Sequence, residues 1–426
     1  MPFEDNILRQ IIDKQLIEMH FQPIVSVRKR KAAGVEALAR FQHPASGEVL
    51  SPLAMFAQAA KQGLTVELDR LCRIKALQSF KTIALKNPDL LLFLNLDTSI
   101  IDQGVVGSGH LINAVDGLGI KPQNVVIEIN EAKVSQCHAL QRFIETYKGY
   151  GFLMALDDLG LGHSNLDRIL HVKPNIIKLD RCLIQNLDQD YYKQEICEAL
   201  VHLSRKIGAA VVAECVETMA EVTACLDLGI EMLQGYYFAR PQKINNGLVE
   251  VPENQTAGAA LLYKELKTEK TVRERLQWAI CCTAIDRIIA EIEVSEAGCF
   301  DVKLKTLIGK YPMLEYVYIL DMKGRQVTET IGNQRKTAAG NKLFQPDCKG
   351  TDQSLKDYYL RIQAGWKRQT TEPYMSLATG NLCITNSTVF SAANGEQYIL
   401  CTDFNPGFFK CNGKRESRER PCEQQE

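Results

Sequence analysis

The sequence lacks several features that mark special classes of protein. No apolar run reaches the roughly 18 to 20 residues that a membrane-spanning helix needs. The first ten residues, MPFEDNILRQ, contain no continuous apolar core of a secretion signal. The 50 basic residues are balanced by 51 acidic ones, and a net charge of -1 gives no general attraction to nucleic acids. We therefore expect a cytoplasmic protein with no membrane span and no DNA as a partner.

Cysteine pairs of the kind that hold metals are also missing. The 14 cysteines are scattered without a C-x-x-C pair, and none of the 7 histidines lies at ligand spacing from a cysteine pair. A structural zinc site is therefore not expected. In a reducing compartment the cysteines are best interpreted as free thiols and small buried hydrophobic residues.

Short apolar runs alternate with longer segments of helical apolar spacing between residue 20 and about residue 240. The runs lie at residues 19–25, 32–39, 90–97, 124–130, 152–158, 175–180, 209–216 and 232–239. Alternating strands and helices predict a parallel sheet, and eight strands suit a (β/α)8 barrel, whose usual size is about 250 residues. An open doubly wound sheet is the alternative, but no G-x-G-x-x-G follows a predicted strand.

The rest of the 426-residue chain has a different character, which predicts a second domain. We expect a barrel over residues 1–250, a long connecting helix over 251–295, a small α+β domain over 296–410 and a disordered tail over 411–426. The apolar spacing of the long helix fits packing onto the next domain and pairing with its copy in a dimer equally well. Two hairpins are predicted in the small domain, YVYILDMKGRQVTET around a Lys-Gly turn and NLCITNSTVFSAANGEQYILCTDF.

Polar residues stand where the predicted barrel strands end. In a parallel barrel all these ends lie on the face that carries the active site. One acidic strand end is ordinarily a helix cap, but five in succession are difficult to explain in that way. Carboxylate oxygens suit hard divalent ions, so the pattern predicts two Mg²⁺ or Mn²⁺ ions and displacement at phosphorus. The polar residues at these ends are Asn95, Asp97, Glu128, Asn130, Asp157, Asp158, Lys178, Asp180 and Glu214.

These residues belong to motifs that resemble a known family. The chain carries FQPIV (21–25), GVEALAR (34–40), FLNLD, VIEINE, DDLGLGHSNL, IKLD, AECVET and QGYYFARP (234–241). Together they resemble the EAL-domain phosphodiesterases, which cleave the bacterial second messenger cyclic di-GMP. The resemblance implies a modified (β/α)8 barrel whose first strand runs antiparallel to the others. It also implies hydrolysis of cyclic di-GMP to linear pGpG.

The resemblance further implies a role for each matching residue. The first metal ion would be bound by Glu36, Asn95, Glu128 and Asp157, and the second by Asp157 and Asp158. Lys178 would hold or polarise the attacking water, and Glu214 would be the general base or its metal-linked partner. The remaining residues would contact the substrate or complete the wall of the site, and they are Gln22, Leu38, Arg40, Glu217, Gln234 and Pro241. Glu131 would brace the DDLGLGHSN loop.

The chain departs from the family pattern at three positions, Leu159, Asn165 and Cys215. These departures affect the expected rate, because they lie in or beside segments that position the site. A catalytically silent receptor for cyclic di-GMP is therefore an alternative. A glycosidase using Glu128 and Glu214 is a further alternative, and it predicts turnover without metal.

The small second domain resembles Cache or PAS-like sensor modules. That resemblance implies a pocket for a small ligand, with Arg368, Trp366 and Tyr374 as candidate pocket residues. It also implies control of the barrel through the connecting helix, and a homodimer formed through the barrel, the helix or both.

Overall fold

The computed structural model describes residues 7–103, 109–129, 137–160, 166–244, 253–333, 344–378 and 380–408. The chain divides into two compact units, residues 1–266 and residues 267–426. In the described part of the chain, no helix has both the length and the hydropathy of a membrane crossing.

The first unit is a closed barrel surrounded by helices. Its strands are β1 (Ile17–Ser26), β2 (Lys31–Gln42), β3 (Val49–Leu50), β4 (Leu91–Leu96), β5 (Val125–Ile129), β6 (Leu153–Leu159), β7 (Ile176–Leu179), β8 (Ala210–Ala213) and β9 (Met232–Leu233). Its helices are α1 (Ile7–Asp13), α2 (Pro52–Gln62), α3 (Thr65–Lys86), α4 (His110–Gly117), α5 (Cys137–Gly149), α6 (Asp167–Val172), α7 (Arg181–Ile184), α8 (Tyr191–Ile207) and α9 (Met219–Asp227).

The strand order closes the barrel and confirms the predicted direction of the first strand. The sheet runs β1-β9-β8-β7-β6-β5-β4-β2-β3, and an additional β1–β2 pairing closes the ring. β1 is antiparallel to both β2 and β9, whereas β2, β4, β5, β6, β7, β8 and β9 pair parallel with one another in turn. The carboxyl ends of the parallel strands consequently lie at one mouth.

Turn and capping residues in the sequence define several helix ends of the barrel unit. The side chain of Asp190 accepts hydrogen bonds from two backbone amides at the start of α8, and Gly208 ends this helix in the left-handed conformation. Thr218 and Glu221 form a capping box at the start of α9. Glu221 also accepts hydrogen bonds from the backbone of Asn186 and Glu217, so one carboxylate fixes the segment that follows β8.

The second unit is built on a sheet of antiparallel strands with the order β11-β10-β15-β14-β12, and β13 pairs with β14. Its strands are β10 (Leu314–Asp321), β11 (Ile331–Gly332), β12 (Arg368–Thr370), β13 (Tyr374–Met375), β14 (Leu382–Ser391) and β15 (Gln397–Phe404). Its helices are α11 (Phe300–Ile308) and α12 (Asp357–Gln363). One face of the sheet packs on an apolar core with Phe300 and Leu304 of α11, and the other face packs with Tyr358 and Ile362 of α12.

Of the two predicted hairpins, one is complete and one is not. β15 pairs along its whole length with residues Ile384 to Ser391 of β14, which confirms the second hairpin. In the first, β10 pairs antiparallel with the short β11, but the predicted second strand is displaced to Ile331–Gly332. Residues 325–330, directly after the Lys-Gly turn, make only the isolated bridges Leu320 to Gln326 and Arg325 to Asp352, and the Gln326 side chain there donates to Thr328 and Thr330.

The predicted long helix is α10 (Glu253–Glu293), a single helix of 41 residues. The predicted apolar stripe of this helix runs from Val272 to Ile292, and its carboxyl-terminal members Ala284, Ile288 and Ile292 are buried. The earlier members of the stripe, Val272 and Leu276 among them, are about half exposed.

Candidate active site

The barrel interior alternates between an apolar layer and a polar layer. Ile24, Phe93, Val126, Ala155, Ile176 and Val212 form a separate buried cluster, with Met232 packed against it. Side chains two residues apart in a strand point to the same face. In each parallel strand, the residue two positions after the apolar one also faces inward, and it is polar. In the antiparallel β1, the polar residue lies two positions before the apolar one. The resulting pairs are Ile24 and Gln22, Gly34 and Glu36, Phe93 and Asn95, Val126 and Glu128, Ala155 and Asp157, Ile176 and Lys178, Val212 and Glu214, and Met232 and Gln234.

Each carboxylate oxygen of Glu36 accepts a hydrogen bond from a side-chain amide. Asn95 donates to its Oε1 at 2.8 Å and Gln234 donates to its Oε2 at 2.7 Å. Gln234 also donates to Gln22 at 3.2 Å, and Gln22 donates to the carbonyl of Ala239 at 3.1 Å. These bonds connect strands that are far apart in sequence, and they orient the Glu36 carboxylate inside the barrel.

Lys178 lies at the centre of the polar layer with only 1% of its side chain exposed. Its Nζ is 2.5 Å from Glu128, 2.6 Å from Glu214, 3.1 Å from Asp157 and 3.7 Å from Glu36. Four carboxylates therefore surround one ammonium group. The negative charge in excess of that single cation makes the site suited to bind further cations.

The pKa values follow from burial and from this crowding. Burial alone would lower the pKa of Lys178, but the surrounding carboxylates raise it well above its ordinary value. Burial raises the pKa of Glu214 to about 8 against the opposing effect of Lys178, and it raises that of Glu128 well above its usual range. The pKa of Glu36 is lowered despite its burial, because Lys178 and the two amides favour the ionised form.

Asp157 and Asp158 both point into the mouth because the strand is irregular there. Consecutive residues of a regular strand point to opposite faces. The β6–β7 register shifts between Leu156 and Leu159, and Asp158 has a left-handed φ of 55°. As a result, carboxylate oxygens of Asp157, Asp158 and Glu214 lie within 4.8 Å of one another. Burial and the neighbouring Asp157 raise the pKa of Asp158 to about 6.

A cavity of about 350 Å³ opens beside the polar layer. Leu38 and Arg40, which follow Glu36 at alternate positions of β2, contribute to its wall together with Asn95, Asp157 and Asp158. The guanidinium of Arg40 donates to the carbonyl of Ala39 at 3.0 Å.

Two predicted substrate residues lie at different places relative to this layer. Pro241 precedes Gln242, whose backbone exchanges hydrogen bonds with Phe21 at 2.7 and 3.0 Å, so it lies beside β1. Glu217 is exposed, and its carboxylate is 3.9 Å from the guanidinium of Arg181. Among the described contacts, the structure does not bring Glu217 to the carboxylates around Lys178.

Sequence reasoning assigned no role to two residues that line the cavity, Asp69, which belongs to an LD pair (68–69) that matches the EAL family, and Arg73. They lie one turn apart on α3 and form a buried ion pair. Asp69 also accepts a hydrogen bond at 3.1 Å from the backbone of Asp97, another lining residue. The four-residue spacing of opposite charges was the available signal, but on a helix it usually marks a solvent-exposed face.

Residues 5–241 match the family model described as EAL domain. The chain belongs to the EAL domain family. One EAL relative, the probable cyclic di-GMP phosphodiesterase PdeG of Escherichia coli K12, is 30% identical over 240 residues, which cover 56% of this chain. The aligned part is 47% of PdeG, so this chain spans less than half of that relative's length.

A second relative is similar over most of its length. The uncharacterised EAL-domain protein YkuI of Bacillus subtilis is 24% identical over 394 residues, covering 90% of this chain and 93% of YkuI. The crystal structure of YkuI with cyclic di-GMP and calcium matches with a TM-score of 0.77 at 23% identity, over 95% of this chain and 99% of that one. This likeness supports the fold.

A structure of the MucR phosphodiesterase in complex with cyclic di-GMP matches the barrel. Its TM-score is 0.51 at 27% identity, over 57% of this chain and 98% of that chain. A relative named MucR is a protein of Pseudomonas aeruginosa.

The departures from the usual EAL pattern occupy different environments. Leu159 is buried at the end of β6, and Cys215 is exposed with a left-handed φ of 53° directly after Glu214. Asn165, Asn130 and Glu131 lie outside the described residues.

Proposed function

We propose that this EAL protein is a metal-dependent phosphodiesterase that hydrolyses cyclic di-GMP to linear pGpG. Membership of the EAL family and the similarity to PdeG, whose name gives that activity, support the substrate. The observation that carries the proposal is the ring of polar side chains in the barrel. Each of the eight barrel strands contributes one polar residue to this ring directly above an apolar layer.

The residues fit divalent ions. Both carboxylate oxygens of Glu128 are buried without a hydrogen-bond donor in good geometry, although Lys178 is near one of them. An oxygen of this kind is a ready ligand for Mg²⁺ or Mn²⁺. We assign Glu36, Asn95, Glu128 and Asp157 to a first ion, and Asp157 with Asp158 to a second, next to Glu214. Such ions, when bound, act as Lewis acids and lower the pKa of bound water.

The chain's own residues supply the remaining chemistry. Glu214, in its ionised form, accepts a proton from the attacking water while the water oxygen bonds to phosphorus and the bond between phosphorus and the ribose oxygen breaks. The departing ribose oxygen takes a proton from solvent. The buried ammonium of Lys178 orients that water and offsets negative charge that develops on the phosphate. Arg40 suits a phosphate because its guanidinium is a planar fork of donors.

The other substrate assignments rest on position. Gln22, Leu38 and Pro241 would contact a base or phosphate from β2 and the neighbouring β1 edge, with Gln234 and Glu217 in the wall. Glu131 would brace the loop after β6.

Hydrolysis is tested with the full chain, cyclic di-GMP and either Mn²⁺ or Mg²⁺, with EDTA as the metal-free arm. Chromatography should show pGpG in the metal arms and intact substrate with EDTA. The Glu128→Gln variant should lose activity by about 10² to 10³-fold, because a negatively charged carboxylate ligand of the first ion is replaced by a neutral amide. Glu145→Gln is the matched control, because Glu145 is an exposed residue of α5. Turnover that persists in EDTA would contradict metal dependence.

A receptor is the second candidate, and Cys215 is the observation that favours it. A side chain at a left-handed φ costs about 1 to 2 kcal/mol relative to glycine, and this residue adjoins Glu214. Calorimetry showing bound cyclic di-GMP, together with intact substrate in every metal arm, would favour the receptor over the phosphodiesterase.

We further propose that the chain forms a homodimer through α10 and that the second unit regulates the barrel. Leu261, Leu266, Val272, Leu276 and Ile280 are exposed on α10, and apolar helix faces of this kind suit helix pairing. Leu276→Glu should convert a dimer to a monomer in sedimentation analysis, whereas Glu274→Gln, which changes a half-buried residue outside the apolar face, should not. A chain that is monomeric without any substitution would contradict this proposal.

A further inference from the structure

A buried polar cluster lies on one face of the sheet in the second unit. We define the polar cluster as Tyr318, Gln369, Tyr374, Thr385, Ser387 and Asp403. The register pairs Thr385 with Asp403, and Ser387 with both Gln369 and Cys401, while Cys401 pairs with Tyr318. Directly paired residues project to the same face of a sheet. This face also carries Tyr358 and Ile362 of α12, so it is covered and not open to solvent.

Asp403 is the charged member of the cluster and is 5% exposed. Its carboxylate accepts one hydrogen bond among the described residues, from Thr385 at 2.6 Å. The hydroxyl of Tyr374 is 2.7 Å from that of Thr385, which continues the chain of bonds. In the described part of the structure no Lys, Arg or His lies within ion-pair distance of Asp403. Burial raises the pKa of this carboxyl to about 7. A buried carboxylate without a cation is costly, so this group is suited to receive one.

Gln369 supplies an independent observation. It is 4% exposed, and neither the nitrogen nor the oxygen of its side-chain amide has a hydrogen-bond partner among the described residues. Buried amides without partners are rare in native proteins, and each needs an explanation. β12 and β15 lie on either side of β14, and Gln369 pairs with Ser387 whereas Asp403 pairs with Thr385, two residues away along β14. Two strand spacings of about 4.8 Å and an offset of two residues at about 3.4 Å each place the two backbone positions about 12 Å apart.

We propose that the polar cluster binds a small organic amine that carries a second hydrogen-bonding group. The ammonium group pairs with Asp403, and the second group satisfies the Gln369 amide. The rings of Tyr318 and Tyr374 provide aromatic faces, which attract organic cations. The opposite face of the sheet offers no comparable site in the described residues, because it packs on the apolar core around Phe300.

The proposal is tested by calorimetry and thermal shift on the full chain. The probes are ethanolamine, putrescine and γ-aminobutyrate, each compared with the analogue in which hydroxyl replaces amine: ethylene glycol, butanediol and γ-hydroxybutyrate. At least one amine should bind while its hydroxyl analogue does not. Asp403→Asn should weaken that binding by about tenfold or more, because a charge-assisted hydrogen bond is lost. Asp357→Asn, which removes an exposed carboxylate of α12, should leave it unchanged.

Gln369→Met keeps the test decisive if Asp403→Asn folds poorly. Without amine, this variant should melt at a higher temperature than the native chain, because an unpartnered buried amide is replaced by an apolar side chain of similar length. It should also bind the amine more weakly. A lower melting temperature would show that the amide is already satisfied within the protein, and that would overturn the proposal. Failure of all three amines to bind would overturn it as well. These measurements do not involve the barrel, so they succeed or fail independently of hydrolysis.

Discussion

The two units bury carboxylates in opposite ways. In the barrel, Glu128, Glu214 and Asp157 lie within 3.1 Å of the Lys178 ammonium, so the negative charge is partly offset by the protein itself. In the second unit, Asp403 has one neutral donor, Thr385, and no described cation within ion-pair distance. The barrel site contains its own cation and still has excess negative charge, whereas the second site contains none.

The location of these groups on their strands differs as well. The barrel residues lie where parallel strands end, which is the face where such barrels place their chemistry. The polar cluster of the second unit is distributed over β10, β12, β13, β14 and β15 of an antiparallel sheet, on a face that a helix covers. A group at the barrel mouth can meet ions from solvent, but a group on a covered sheet face can meet only a ligand small enough to be enclosed.

The largest expected effect comes from removing the cation of the barrel. Lys178→Met leaves four carboxylates without their ammonium group, and removing one partner of a buried ion pair typically costs about 3 to 5 kcal/mol. In EDTA the variant should therefore melt well below the native chain. Mg²⁺ should raise its melting temperature more than that of the native chain, because the ion binds the folded state and offsets the charge. Hydrolysis should fall by about 10² to 10³-fold.

The matched control for this prediction is Lys81→Met, which removes an exposed lysine of α3. It should change neither stability nor turnover appreciably. A Lys178→Met chain as stable as the native one in EDTA would show that the carboxylates do not need this ammonium group.

Much of the barrel site is readable from sequence because the fold repeats one rule. A polar residue two positions after an inward apolar residue, as in Ala155 and Asp157, marks the same face one step nearer the mouth. This rule also identifies Gln234, and its reverse identifies Gln22 in the antiparallel β1, where the polar residue lies two positions before the apolar one. It does not account for Asp158, because its orientation depends on a left-handed φ that a sequence pattern does not reveal.

The sequence was less informative where helices or covered sheets contribute. Asp69 and Arg73 look like an ordinary charged helix face, yet they are buried. The alternation in β14, with Thr385 and Ser387 among its polar residues, is typical of a strand with one solvent-exposed face. Here α12 covers that face. Of the predicted pocket residues, Trp366 is exposed and Arg368 pairs with Asp286, whereas Tyr374 belongs to the polar cluster.

A smaller effect should distinguish the second site by pH. The pKa of Asp403 is about 7 in the folded protein and about 3.8 in the unfolded chain, so the folded state binds the proton more tightly. The contribution of this proton to the free energy of unfolding is fully present below about pH 4. It falls by about 1.4 kcal/mol per pH unit as the pH rises to 7. Asp403→Asn should remove this slope. The titratable groups facing Asp403 are Tyr316, Tyr318, Tyr358, Tyr374, Cys383, Cys401, Glu315 and Lys356.

Intrinsic fluorescence measures this prediction directly, because both tryptophans of the chain, Trp278 and Trp366, belong to the second unit. Urea titrations at stepped pH should show the slope in the native chain and in the control Asp357→Asn. Identical slopes in the native chain and in Asp403→Asn would show that Asp403 is already ionised or paired in the folded protein.

The smallest expected effect returns to the barrel. Cys215→Gly relieves a left-handed backbone in the segment after Glu214, but glycine also gives the unfolded chain more freedom. The two effects nearly cancel, so stability should change by less than about 1 kcal/mol. If the relaxed backbone positions Glu214 better, turnover of cyclic di-GMP should rise by less than about tenfold, since tenfold corresponds to 1.4 kcal/mol.

Cys215→Ala removes the sulfur while retaining the strained φ, and it should match the native rate. Equal rates for the glycine and alanine variants, both above the native rate, would assign the effect to the thiol and not to the backbone. The barrel would then tolerate the left-handed φ at residue 215 without loss of turnover. This result would sharpen the contrast between the barrel, whose carboxylates surround Lys178, and the second unit, whose Asp403 has no described cation within ion-pair distance.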